Sequence, residues 1–163
     1  MLRKKETTFF VDAMLGNIAK KLRLLGYDSK YFSDIDDEQL IGTAKKEDRI
    51  IISKDENLIK KAKKLGMKPI FIMKNKEIDQ FLEIISQVNL NISQLSGDTA
   101  RCPKCNSYTE LVDKESIKET VPEKIYQINL KFWRCNACNQ VYWEGTHIKN
   151  LQKFLGKINE RLQ

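Results

Sequence analysis

The sequence predicts a mixed α/β chain: a parallel sheet flanked by helices, followed by a small β-rich module built around a metal, and a terminal helix. Three observations carry this prediction. Short apolar runs such as FFV (9–11) and IIIS (50–53) alternate with amphipathic segments up to about residue 90. The four cysteines fall in two Cys-x-x-Cys pairs, Cys102 with Cys105 and Cys135 with Cys138. The stretch from Ile148 to Leu162 spaces its apolar residues as an amphipathic helix does.

Element by element, Thr8–Val11 reads as a short buried strand. The segment Ala13–Leu25 places Met14, Ile18, Leu22 and Leu25 on one helical face, and Gly26 ends it as a left-handed cap. Ser29–Phe32 is a second strand. Asp37–Lys46 is a helix whose acidic start and basic end suit its dipole. Arg49–Ser53 is a third strand, Asn57–Leu65 a helix stopped by Gly66, Lys68–Met73 a fourth strand and Lys76–Val88 a fourth helix. Strands joined through helices by short turns imply a parallel sheet covered on both faces. The polar segment NISQLSGDTA (91–100) reads as a linker between one domain at 1–92 and a second at 99–163. In the second, KIYQINLKFWR (124–134) and QVYWEG (140–145) are β-prone.

Apolar residues make up 41% of the chain, enough for a core. No apolar run approaches the roughly 20 residues that span a bilayer, and the basic start MLRKKETTFF lacks the apolar centre of a secretion signal. A cytoplasmic protein without membrane contact is expected. Lysine and arginine number 29 against 22 acids, a net charge of +7, which favours a polyanionic partner such as nucleic acid.

In a cytoplasmic chain, paired Cys-x-x-Cys turns read as metal ligands rather than disulfides. Two such turns close a tetrahedron of thiolates around Zn²⁺ and leave no open position, the mark of a structural site. Four thiolates also suit iron, and two separate redox pairs are the other reading; zinc is the expectation. The lone histidine, His147, is not needed as a ligand.

The acids are the second chemical signal. Asp12 follows the first strand directly, Asp55 follows the third by one residue, and Asp37 opens the second helix after the acidic turn SDIDDEQL. In open parallel sheets, ligands gather at the carboxyl ends of the strands. Carboxylates crowded there repel one another unless a cation sits among them, and Mg²⁺ or Mn²⁺ favours oxygen ligands. Such ions activate water for in-line attack on phosphate esters. Asp37 and Asp55 also stand where a helix cap belongs, so capping and metal binding are both open for them. Asp34, Asp36 and Glu38 read as solvated turn acids.

The segment VDAMLGNIAKKLRLLGYD resembles the opening of a PIN-like ribonuclease family, the C-terminal RNase domain of the Mut-seven exonucleases. The resemblance rests on Asp12-Ala-Met14-Leu15-Gly16, Asp37-Glu38-Gln39-Leu40, Ser53-Lys54-Asp55 and Tyr142-Trp143-Glu144-Gly145. It covers roughly residues 8 to 150. It implies a PIN-like sheet, a C-terminal zinc ribbon and RNA cleavage dependent on Mg²⁺ or Mn²⁺, with Asp12, Asp37 and Asp55 as the catalytic carboxylates. Hydrolysis of this kind leaves a 3′-hydroxyl and a 5′-phosphate. Many PIN nucleases carry a further acid on an intervening helix, which has no counterpart here; Asp34 or Asp36 is the candidate substitute. PIN relatives often dimerise, which leaves a homodimer open.

RNA contacts are expected from Lys20, Lys21 and Arg23 on the first helix and from Arg101, Lys104 and Arg134 around the cysteines, with Lys131 nearby. The run Lys60, Lys61, Lys63 and Lys64 reads as a solvated helix face or as a further contact. Tyr142 and Trp143 either stack on bases or, with Trp133, form the ribbon's core. Two other functions fit parts of the pattern. One is a non-catalytic RNA-binding or assembly module in which the acids only cap helices. The other is a phosphoacceptor receiver domain, disfavoured because Asp12 has no acidic neighbour and no fifth strand ends in lysine.

Overall fold

The computed structural model describes residues 6–92 and 95–163. The basic residues 1–5 and two positions of the expected linker, Ser93 and Gln94, lie outside the described residues. The described residues form two compact units. The first takes in the chain up to Leu22 and Tyr27–Leu90; the second takes in Arg23–Gly26 and the chain from Asn91 onward.

The first unit is built on four parallel strands, β1 (Phe9–Val11), β2 (Ser29–Tyr31), β3 (Ile50–Ser53) and β4 (Ile70–Phe71), in the order β2-β1-β3-β4. Helices intervene: a 3-10 turn at Ala13–Leu15 leading into α1 (Gly16–Leu24), then α2 (Asp37–Glu47), α3 (Glu56–Lys64) and α4 (Glu77–Gln87). The expected α/β class with a parallel sheet flanked by helices is therefore observed. β1 is central and all three of its residues are buried, which explains why it is written FFV without alternation: a strand covered on both faces has no solvent side. Phe10 pairs in register with Ile51, and both pack with Leu40, Ile41 and Ala44 of α2 and Leu58 and Ala62 of α3. The pleat turns Phe9, Val11 and Ile52 to the opposite face. Burying a phenylalanine as fully as Phe9 and Phe10 contributes about 1.5–3 kcal/mol each. Lys21 of α1 pairs with Glu77 of α4 at 2.6 Å.

At the amino edge of this sheet Arg49 acts as a clamp. Its guanidinium holds Asp28 through two bonds of 2.7 and 3.0 Å and also donates to the Phe9 carbonyl at 3.2 Å. Arg49 also donates to Glu47, whose carboxylate accepts from Lys30 at 2.6 Å. The Arg49 side chain is only 9% exposed, so this fork joins the starts of β1, β2 and β3 away from water, where a bidentate pair is strong.

The second unit contains an antiparallel sheet of order β5-β6-β7, from β5 (Thr109–Val112), β6 (Phe132–Cys135) and β7 (Val141–Tyr142), with α5 (Glu123–Ile128) and α6 (Thr146–Leu162). Its apolar centre is Ile117, Val121, Phe132 and Val141, with Val112, Ile125, Tyr126 and Trp143 packed against it. The first half of the β-prone stretch 124–134 is helical. Pro122 stands at its N-cap, where a missing N–H costs nothing, and Tyr126 stacks on Phe132 at 6.4 Å, so tertiary packing overrides β propensity. The described end of the expected linker is not free chain: a Cβ on Gly97 would lie 2.3 Å from the Trp133 ring, and Asp98 accepts from Trp133 Nε1 at 2.9 Å. Gly26 has φ +94°, as its reading as a left-handed cap requires.

Candidate functional site

The order β2-β1-β3-β4 places the chain's reversal between β1 and β3, and ligands of open parallel sheets bind outside the strand ends at such a point. Asp12 stands there. Its N–H bonds to the Ile52 carbonyl of β3 at 2.9 Å, continuing the ladder one residue past β1. Its Oδ1 accepts from the Ala13 N–H at 2.7 Å and its Oδ2 from Ser53 Oγ at 2.6 Å. Ser53, fully buried at the end of β3, accepts in turn from the Asp55 N–H at 2.9 Å. One hydroxyl thus holds Asp12 and Asp55 together. Ser53 belongs to the Ser-x-Asp motif, but its bridging role was missing from the expected site; the signal was a polar residue closing an otherwise all-isoleucine strand.

Asp55 is the N-cap of α3. Its Oδ1 accepts from Asn57 N and Leu58 N at 2.8 and 3.3 Å, and its other oxygen has no hydrogen bond among the described residues. Asp37 is not a cap: Asp36 takes that role for α2, accepting from Gln39 N at 2.8 Å. Asp37 sits one residue inside α2, partly exposed, with Lys61 of α3 at 3.7 Å. The turn into α1 is fixed by close contact. Tyr31 Oη donates to the Ala13 carbonyl at 3.0 Å, and a Cβ on Gly16 would lie 2.9 Å from Tyr31 Oη. The Asp-x-Met-Leu-Gly pattern therefore encodes a carboxylate at a strand end and the glycine that lets the next turn pack there.

Among the described residues, the one group of three or more metal-capable side chains whose ligand atoms draw together is Cys102, Cys105, Cys135 and Cys138. Asp12, Asp37 and Asp55 do not form such a group. The four Sγ atoms lie within 4.8 Å of one another, with Cys102–Cys138 at 3.7 Å and Cys105–Cys135 at 3.3 Å. Zinc–sulfur bonds of about 2.3 Å set tetrahedral edges of about 3.8 Å, so the thiols fit Zn²⁺. No disulfide joins them. Burial pushes the Cys102 thiol up and that of Cys135 up to about 12. Burial also opposes ionisation of Cys105, but hydrogen bonds from the Ser107 N–H, Cys135 and the Ser107 hydroxyl outweigh it and bring this thiol down to about 6. Tyr142 Oη lies 2.9 Å from Cys102 Sγ, placed to donate to the thiolate once a metal is bound. His147 is exposed at the start of α6, outside the cluster.

The cationic residues divide. Lys20 and Lys104 are exposed and Arg134 is half-buried; Lys21 is engaged with Glu77. Arg23 and Arg101 are turned inward, 5% and 8% exposed. Arg23 donates to the Pro103 carbonyl at 2.8 Å and Arg101 to that of Asn106 at 3.0 Å, with Arg101 stacked on Tyr108 at 4.1 Å. These two guanidinium groups brace the first cysteine turn, a use that charge alone does not reveal. Lys60 pairs with Glu56 at 2.9 Å, while Lys63 and Lys64 are exposed. Trp133 is buried, Trp143 packs on Phe132, and both belong to the second unit's interior.

No helix among the described residues is long and apolar enough to cross a membrane. No curated protein and no solved structure was found to match the chain. A family model does: the one described as the Mut7-C RNAse domain matches residues 7–155. That span takes in the strand-end carboxylates and all four cysteines, and the chain belongs to the Mut7-C RNase domain family.

Proposed function

We propose that this protein is a divalent-metal-dependent ribonuclease that hydrolyses RNA phosphodiester bonds. The reading rests on family membership, and the observation that carries it is the Asp12–Ser53–Asp55 constellation at the sheet's reversal point. The donor set fits a hard cation: carboxylate oxygens, one of them on Asp55 without a hydrogen-bond donor among the described residues, and Asp37 with a lysine 3.7 Å away. Asp12 and Asp55, with Asp37 at the mouth of α2, are the residues that would hold Mg²⁺ or Mn²⁺. Such an ion, when bound, supplies an activated water and charge stabilisation for in-line displacement at phosphorus.

The chain's own contribution is orientation. Ala13 N–H and Ser53 Oγ fix both oxygens of Asp12, and the caps of α3 fix one oxygen of Asp55. The residues 1–92 carry this nuclease work, and the four-cysteine module from 99 to 163 assists RNA binding through exposed Lys104 and partly exposed Arg134. The cysteines hold zinc as a structural ion.

The test is cleavage of a mixed panel of labelled RNAs in Mn²⁺, Mg²⁺ or EDTA by wild type and Asp12→Asn. The expected result is metal-dependent cutting that Asp12→Asn reduces by more than the roughly 10–100-fold typical of losing a supporting bond around a metal ligand. Equal cutting by both proteins refutes the assignment of Asp12. A second reading, an RNA-binding module without catalysis, draws on the capping roles of Asp12 and Asp55; it predicts RNA binding in EDTA and no cutting by either protein.

A further inference from the structure

The carboxyl edge of the four-stranded sheet exposes large apolar side chains beside its acids. Met14, two residues past Asp12, is 75% exposed, and Phe32, the residue after β2, is 51% exposed. Phe32 is nevertheless held. Its ring packs on Phe10 at 5.9 Å, and its neighbour Tyr31 is tied to Ala13, within the turn that carries Met14. A single exposed apolar residue needs no explanation. Phe32 is different: it is anchored, and it follows Tyr31 as Asp12 follows Val11, with Val11 and Tyr31 paired in the sheet, so its ring is offered to a ligand next to the carboxylate.

The charge around this edge is divided. On the β2 side stand exposed Asp34, Asp36 and Glu38 and partly exposed Asp37, which repel phosphate. On the β4 side Met73, Lys74, Asn75 and Lys76 are all exposed. Lys54 reaches the same place and donates to the neutral amide of Asn75 at 2.9 Å. A polyanion crossing the edge is drawn to β3 and β4 by its phosphates, and only an uncharged part of it is tolerated next to β2.

We propose that Phe32 is the base platform of this site: a nucleotide adjoining the bond to be cut lays its base on the Phe32 ring while the phosphates pass Lys54, Lys74 and Lys76. This rests on the ribonuclease reading and adds a requirement to it. A base inside a duplex has both faces stacked, so the platform accepts only an unpaired nucleotide.

Binding is read in EDTA with the full chain, by anisotropy of a labelled oligouridylate and of the same ribose-phosphate chain lacking its bases. Wild type should favour the base-bearing chain on the order of ten-fold. Phe32→Ala should abolish that preference without weakening binding of the baseless chain, and Phe32→Trp should restore it. Equal binding of the two chains by wild type overturns the platform, as does a Phe32→Ala loss that is the same on both. Cleavage in Mn²⁺ is scored separately. Cutting that needs Asp12 but ignores the bases sinks the platform and keeps the ribonuclease; a base preference lost in Phe32→Ala, with no cutting by wild type, does the reverse.

Discussion

Ser53→Ala removes one oxygen and tests the centre of the site. That oxygen is fully buried and makes two bonds, donating to Asp12 at 2.6 Å and accepting from Asp55 N–H at 2.9 Å. A hydrogen bond to a charged group contributes about 1.5–3 kcal/mol and a neutral one about 0.5–1.5. Asp12 is only half-buried, so water recovers part of the first term, and the expected cost is about 2 kcal/mol, close to 30-fold in the folding equilibrium. Amide hydrogen exchange at β1 and β3 reads this unit by itself. Cleavage should fall about 10–100-fold, because the Asp12 carboxylate loses the bond that fixes Oδ2. Ser53→Thr, which keeps the hydroxyl, should recover most of both. The Ser53→Ala/Asp12→Asn double mutant should lose less than the sum of the singles, since they share a bond. A stability change below about 0.5 kcal/mol with unaltered cleavage would refute the bridging role.

Two further outcomes are expected. The protein should carry one zinc per chain, measured by release to a colorimetric chelator; Cys135→Ser should lose it together with exchange protection in β5–β7, and Tyr142→Phe should keep it but yield it to a competing chelator more readily. Acid stability should depend on Glu47, whose carboxyl is held below its ordinary 4.5 by hydrogen bonds from Lys30 and then Arg49. A lowered folded-state pKa gives stability that is present above about 4.5 and lost as pH falls below it. Glu47→Gln should therefore flatten the acid limb of a stability–pH profile followed by circular dichroism; an unchanged limb would show that other carboxylates set it.

Much of the fold was legible because its parallel strands are buried on both faces. FFV and IIIS are read as strands without any alternation, and glycines at 26 and 66 mark helix ends by their positive φ. The four-cysteine cluster was legible because ligand type and spacing are local. What escaped was set by packing between distant residues. Glu123–Ile128 is rich in strand-forming side chains, yet the stacking of Tyr126 on Phe132 makes it a helix. Arg23 and Arg101 carry the same charge as any surface lysine, and only the folded chain turns them toward carbonyls. Order along the chain is enough to put Asp12 just past β1 and Asp55 just past β3, but which of Asp36 and Asp37 caps α2 is a matter of one residue, decided by backbone geometry at the helix start.

The Arg49 clamp stands at one end of the strands and the carboxylates at the other. The bonds with which Arg49 joins the starts of β1, β2 and β3 therefore do not pass through the strand-end carboxylates. On the ribonuclease reading, a chain that loses Asp12 or Asp55 gives up a bridging bond or a helix cap but keeps this clamp, and so keeps much of its fold while it stops cutting. On that same reading, Asp12→Asn is a decoy for capturing the RNAs that the proposed nuclease would meet.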